Sequence, residues 1–313
     1  MTVAEAIRQG EACLRPVAGD DARLEARVLL AAVLGRSREW LYLHPGSSLS
    51  PAATAQFHQL LAARRAGEPL AYLLGVREFY GRSFMVDARV LVPRPETECL
   101  LEAALAFVRR TSAVRVVDVG TGSGVLGITI ALECPWVRVV LLDASADALA
   151  VARENARRLG AASKVQLVQS DLLAALDGRY DLIIANLPYI PTAAMSGLPP
   201  EVRREPRIAL DGGPDGLALY RRLFAEVPAH LSPTGALFAE IGSDQGTAVL
   251  ALARRWLPNH HARVLPDLAG LDRIVAVTPP EWQGEQSRAR QCRKMEVHAS
   301  ELDRPTSLCV HRA

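Results

Sequence analysis

The sequence predicts an α/β fold: a seven-stranded, mostly parallel sheet with helices on both faces, preceded by a small all-helical N-terminal domain. Three observations predict it. From residue 113 to 278, short apolar runs alternate with helical stretches, as expected of parallel strands joined by crossover helices. The first 75 residues are dominated by Ala, Leu and Arg and show only helical spacing. A glycine-rich turn at 120–124 follows the first apolar run, where doubly wound folds place a ligand.

Each element has its own signal. Leu24, Val28, Leu29, Ala32 and Val33 recur at helical spacing, and Gly35 and His44-Pro45-Gly46 are stop signals. Ser50-Pro51 reads as an N-cap followed by proline at the first helical position, opening a helix to about Ala66. Four or five short helices are expected in this part. Segments 77–84 and 88–92 read as the two strands of a hairpin. Pro93-Arg94-Pro95-Glu96 cannot be helical, because each proline restricts itself and the residue before it. A helix is expected over 97–110. Strands are then expected at 114–119, 137–143, 165–169, 180–185, 236–241, 262–265 and 273–278. Helices are expected at 125–133, 146–159, 217–229 and 245–256. The domain plan is 1–75 helical, with the family resemblance given below implying that it recognises the substrate, 76–96 a hairpin linker, 97–278 the sheet domain, and 279–313 a polar, disordered tail.

Composition narrows the function. The chain has 313 residues, half of them hydrophobic and 22% charged, with a mean hydropathy of +0.11, enough apolar material for a sizeable core. Thirty-six Lys+Arg against 34 Asp+Glu leave a formal charge of +2, with no dense basic stripe to demand nucleic acid. Five cysteines, at 13, 99, 134, 292 and 309, are scattered without zinc spacing, so reduced thiols and no metal are expected. Glu5, Arg8 and Glu11 interrupt the first apolar pattern, which argues against a secretory signal. No uncharged apolar run reaches the roughly 18 residues of a membrane span. A cytoplasmic monomer is expected, without membrane or direct nucleic-acid contact.

Two segments carry chemistry. The first is Val116-Val117-Asp118-Val119-Gly120-Thr121-Gly122-Ser123-Gly124, a strand running into a turn where backbone can approach a ligand closely. Gly122, Gly124 and Gly127 also fit the dinucleotide pattern, so NAD comes into consideration. Asp118, before the first glycine, suits a cationic ligand better than a pyrophosphate. Asp143, 23 residues after Gly120 at the end of the next strand, can accept both hydroxyls of a ribose. Asp171 ends the third strand similarly and, with Leu172, could border an adenine. The second segment is Asn186-Leu187-Pro188-Tyr189, at a strand end beside the glycine turn. A planar NH₂ has a delocalised lone pair and is a poor nucleophile. The Asn186 side-chain oxygen and the Leu187 carbonyl could each accept one of its hydrogens and aim the lone pair at a methyl donor, so catalysis would be positioning. Tyr189 would supply a flat wall. Arg94 and Glu96 are candidates for the substrate entrance, and Asp215 for a helix N-cap.

These motifs resemble those of class I S-adenosylmethionine-dependent methyltransferases, which have a Rossmann-like fold. More narrowly, the chain is similar to the protein-(glutamine-N5) methyltransferases of peptide chain release factors. The narrower resemblance rests on 67–75, 77–84, 92–98, 209–217 and 267–273, and covers about residues 1–278. It implies S-adenosylmethionine as cofactor, held by Gly120, Thr121, Gly122, Ser123, Gly124, Asp143, Leu172 and Asn186. It implies a release factor as partner, methylated on the glutamine of its Gly-Gly-Gln loop, with Asn186, Leu187, Pro188 and Tyr189 as catalytic and substrate-binding residues. One departure matters: the family tetrapeptide is usually Asn-Pro-Pro-Tyr. Asn-Leu-Pro-Tyr is instead similar to ribosomal RNA adenine-N6 dimethyltransferases, the alternative reading. The flanking motifs favour glutamine.

Overall fold

The computed structural model describes residues 1–282. They divide into two units between Leu74 and Gly75. The first holds five helices: α1 (Val3–Ala18), α2 (Ala22–Leu34), α3 (Arg38–Leu43), α4 (Pro51–Arg65) and α5 (Leu70–Leu74). Helix α1 opens on a reciprocal cap, with Thr2 N–H donating to Glu5 Oε2 at 2.8 Å and Glu5 N–H to Thr2 Oγ1 at 3.3 Å, which satisfies two otherwise free donors. Ser50 caps α4 through Ala53 N–H at 3.1 Å, with proline next. Leu14, Leu29, Leu30 and Phe57 are wholly buried between these helices.

The second unit begins with a hairpin, β1 (Val76–Phe79) and β2 (Arg82–Met85). Tyr80 and Gly81, at φ 51° and 69°, make the tight two-residue turn that twists with the strands. The hairpin therefore closes on itself by residue 85. The expected second strand at 88–92 does not form; Asp87 instead bonds Arg89, its carboxylate accepting from the backbone N–H at 3.0 Å.

Then follow α6 (Thr97–Arg110), β3 (Arg115–Val119), α7 (Val125–Glu133), β4 (Arg138–Asp143), α8 (Ala146–Arg158), β5 (Val165–Gln169), β6 (Tyr180–Ala185), α9 (Ala218–His230), β7 (Leu231–Glu240), α10 (Gly246–Trp256), β8 (His261–Pro266) and β9 (Asp272–Thr278). The seven-stranded sheet has the order β5-β4-β3-β6-β7-β9-β8, parallel except for β9, which runs antiparallel to β7 and β8. Residues alternate between its faces. Val116, Leu141, Leu182 and Ile184 pack against α6, α7 and α8, whereas Val117, Leu142, Ile183 and Ala185 pack against α9 and α10. Burial on both faces explains why these strands read as unbroken apolar runs.

Two differences from the sequence reading have local causes. Strand β7 starts at Leu231, not 236, because Leu231 pairs with Tyr180 across an irregular register despite Pro233 and Gly235. Three short 3₁₀ segments, Thr192–Gly197, Val202–Arg204 and Arg207–Ala209, fold the Pro- and Gly-rich stretch between β6 and α9. The expectation of a disordered tail falls almost wholly on residues 283–313, outside the described residues. Trp282, just before them, stacks edge-on against Phe107 with centroids 5.1 Å apart.

Candidate active site

Strand β3 is the switch point of the sheet: the chain leaves it towards β4 and β5, then returns to its other side as β6. Val119 pairs with Leu142 on one flank and with Ala185 on the other. The residues that follow these three, Gly120, Asp143 and Asn186, therefore emerge side by side at the carboxyl end, where open α/β sheets bind ligands. They line one cleft, together with Thr121, Gly122, Ser123, Leu172, Leu187 and Pro188.

The glycine turn is held from beneath. Asp118 is 1% exposed, and its Oδ2 accepts from Thr121 Oγ1 at 2.7 Å and from Gly127 N–H at 2.9 Å. Its Oδ1 is buried without a hydrogen-bond partner, and burial pushes the carboxyl up to about 6. Asp118 thus braces the loop and is not one of the cleft-lining residues, contrary to the sequence reading that faced it towards a cation. Gly120 (φ 71°) has Leu187 so close that a Cβ would lie 2.9 Å from its Cδ2, so loop and tetrapeptide form one wall.

Asp143 ends β4 with both oxygens engaged. Oδ2 accepts from Gly122 N–H and Oδ1 from Ser145 N–H, each at 2.9 Å. Burial raises its carboxyl above the ordinary range, against the pull of these N–H groups. Leu172 is buried on the same cleft with φ 50°, a left-handed backbone that costs a leucine about 1–2 kcal/mol and is typical of ligand sites. Asp171 also lines the cleft and pairs with Arg222 at 2.7 Å.

Behind the tetrapeptide lies a network that sequence reasoning missed. Glu240, the last residue of β7, is 1% exposed. Its Oε2 accepts from Thr97 Oγ1 at 2.7 Å and from Asn186 Nδ2 at 3.1 Å. Asn186 Nδ2 also donates to Thr97 Oγ1 at 3.2 Å. Tyr220 OH donates its one proton to the Glu240 carbonyl and lies 3.3 Å from the Leu187 carbonyl. Tyr189 is not on the cleft wall expected of it. Its ring packs on the second core, and its hydroxyl points to Glu240 Oε1 at 3.4 Å, with burial pushing the phenol up to about 12. Gln245 Nε2 holds the Tyr189 carbonyl at 2.9 Å. Gly212 and Gly216 press on the same segment, since Cβ atoms there would lie 2.7 Å from the Pro188 carbonyl and 2.2 Å from that of Tyr189. The one signal for Glu240 was a carboxylate closing an otherwise apolar strand at the ligand end of the sheet.

At the rim, Arg94 lines the cleft and pairs with the buried Glu205, which also accepts from Val92 N–H at 3.0 Å. Glu96 is exposed and does not line the cleft. Asp215 sits two residues before the N-cap of α9, accepting from Leu217 N–H at 3.2 Å.

A model of the PrmC N-terminal domain matches residues 5–75, and one of the methyltransferase small domain matches residues 97–196. A release factor glutamine methyltransferase from Moorella thermoacetica is 47% identical over 276 residues, spanning 87% of this chain and 97% of that protein. The chain belongs to the release factor glutamine methyltransferase family. A second member, from Bordetella pertussis, is 47% identical over 255 residues, 80% of this chain and 93% of that protein. Among solved structures, the hMettl16 catalytic domain in complex with MAT2A 3'UTR hairpin 6 has a TM-score of 0.55 at 15% identity, covering 70% of this chain and 81% of that one. That likeness concerns the fold alone.

Membership in the family brings S-adenosylmethionine as methyl donor. The cleft fits it. Glycine backbone lies open at 122, a carboxylate stands at the next strand end, and apolar Val119, Leu142 and Leu172 line the rest. Among the described residues no helix is long and apolar enough to cross a membrane.

Proposed function

We propose that this chain methylates the side-chain amide nitrogen of the glutamine in the Gly-Gly-Gln loop of class I release factors, with Asn186–Pro188 at the site of transfer and Tyr189 anchored behind them. Release factor is the substrate named for its relatives. When bound, S-adenosylmethionine supplies an electrophilic methyl group on a sulfonium sulfur. Of the residues lining the cleft, Asp143 would hold the ribose hydroxyls, the 120–124 backbone would hold the amino-acid part, and Leu172 would border the adenine. The observation that carries the reading is that Asn186 and Leu187 line the same cleft as Gly120 and Asp143, so that Asn186 Oδ1 and the Leu187 carbonyl would serve as a pair of acceptors. Two acceptors on one NH₂ fix its plane and turn its lone pair along the line of attack. As the nitrogen gains positive charge during transfer, its N–H groups become stronger donors. Both bonds therefore strengthen most in the transition state, which is where binding accelerates a reaction.

The Asn-Leu-Pro-Tyr spelling is the feature that favours the adenine reading, because adenine N6 is also a conjugated NH₂. Labelled S-adenosylmethionine offered with a release factor and with ribosomal RNA in parallel separates the two. We expect label in the release factor, and its near-complete loss with Asn186→Ala. Label confined to RNA would overturn the assignment.

A further inference from the structure

We propose that Glu240 and Thr97 are positioning residues for methyl transfer, holding the Asn186 amide in the single orientation that turns Oδ1 towards the substrate. The inference rests on the reading of Asn186 given above. An asparagine amide can sit either way round, and only one way presents an acceptor. Here both neighbours of the amide act as acceptors. Burial raises the Glu240 carboxyl, against the pull of the Thr97 hydroxyl, the Arg273 charge and the Tyr189 hydroxyl; its Oε2 accepts from Thr97 and from Asn186 Nδ2, and as a carboxylate it has no proton to give. Thr97 Oγ1 commits its own proton to Glu240 Oε2, 2.7 Å away, so towards Asn186 it offers only lone pairs. Nδ2 donates to both, at 3.1 and 3.2 Å. Turning the amide over would set Oδ1 against two acceptors and lose both bonds. Among the described residues nothing donates to Oδ1, which is left for the cleft.

Every part of the clamp is buried: Glu240 is 1% and Thr97 2% exposed. The two arrive from distant elements, Glu240 at the end of β7 and Thr97 as the first residue of α6. The prolines at 93 and 95 lead the chain to that first residue, and Thr97 N–H donates back to the Arg94 carbonyl at 3.1 Å. The strap over 92–98 thereby delivers one hydroxyl to the back of the site.

The chain has only three asparagines, Asn155, Asn186 and Asn259, so ¹⁵N-asparagine labelling of the full chain yields three side-chain NH₂ pairs. The Asn186 pair is the one lost in Asn186→Ala. We expect Glu240→Ala and Thr97→Val each to shift that pair and hasten its exchange with water, leaving the Asn155 pair in place. We expect kcat on a release factor to fall about 10²-fold in Glu240→Ala, the usual cost of slight misplacement. The KM for release factor and the Kd for S-adenosylmethionine should stay near wild type. Glu240→Gln should restore most of the turnover, since its carbonyl can still accept from Nδ2. A general structural defect would move KM and binding as well and would not be rescued. Should Glu240→Ala not fold, Thr97→Val gives the same readings. Wild-type turnover and an unmoved Asn186 pair in both variants, with Asn186→Ala inactive, would overturn the clamp. A fully active Asn186→Ala would instead overturn the site reading beneath it.

Discussion

Asp118 carries a cost that depends on pH, and Asp118→Asn should expose it. Its carboxyl is wholly buried beneath the glycine loop, with one oxygen unpartnered. Burial is the largest cause of its rise from 3.8 to about 6, opposed by the Thr121 hydroxyl and the Gly127 N–H and aided by the charge of Asp143. Below pH 4 both the folded and the unfolded chain hold the proton. Between about 4 and 6 the unfolded chain has lost it and the folded chain keeps it, so stability falls as pH rises. Above 6 both are ionised and the full cost is in place, about 3 kcal/mol at about 1.4 kcal/mol per tenfold. Asparagine cannot ionise. Its oxygen can still accept from Thr121 and Gly127, while its NH₂ replaces the unpartnered oxygen at a cost of about 1–3 kcal/mol at every pH. The test is therefore the change with pH, not the absolute difference. Urea unfolding of both proteins at pH 4 and pH 8 should show the variant gaining about 2.5 kcal/mol on wild type between the two, since the unfolded carboxyl is already partly ionised at pH 4. A difference that stays constant across that range would refute the reasoning.

Three further outcomes are expected. Asp143→Ala should weaken S-adenosylmethionine binding by about 1.5–3 kcal/mol, the range for hydrogen bonds to a charged group; unchanged affinity by calorimetry would remove Asp143 from the cofactor site. Gly127→Ala would bring a Cβ to 2.2 Å from Leu141 Cδ2 and 3.0 Å from Asp118. It should lower stability by about 1–3 kcal/mol through overpacking, and a melting temperature equal to wild type would count against the packing account. Leu187→Pro should keep glutamine methylation, measured as an initial rate on release factor. From the sequence alone its stability would be equal or higher by up to about 1 kcal/mol, through a less flexible unfolded chain. The structure lowers that to near zero, because Leu187 is 4% exposed and losing roughly one buried methylene costs about 0.8 kcal/mol.

What the sequence made legible is what depends on neighbours in the chain. Parallel strands buried on both faces read as apolar runs, so β3 to β6 were recognisable, and the ends of β3, β4 and β6 located residues that line the cleft. Gly120 and Asp143 followed from that. Leu172 did not, since leucine gives no hint that its φ will be 50°; only its place after Asp171 suggested it. The hairpin was half legible: Tyr80-Gly81 sets the turn, but 88–92 has the apolar alternation of a strand without a partner. Glu240 and Thr97 left almost no signal, because they reach Asn186 across 54 and 89 residues of chain. No local pattern encodes a contact of that kind.

Leu187 stands where the resemblance leads one to expect a proline, and the structure indicates what leucine supplies there. The atom required there is a main-chain carbonyl. Proline would restrict φ through its ring. Leucine has no ring, but its side chain is buried in the second core and lies against Gly120, while Pro188 keeps residue 187 extended. The carbonyl is also approached by Tyr220 OH at 3.3 Å. That same hydroxyl bonds the main-chain oxygen of Glu240, whose side chain holds Asn186. Asn186 and the Leu187 carbonyl thus both lie beside groups that bond Glu240: Asn186 donates to its carboxylate, and the Leu187 carbonyl neighbours the Tyr220 hydroxyl that donates to its main-chain oxygen. The tetrapeptide can then vary at its second residue, provided that the carbonyl there still meets Tyr220.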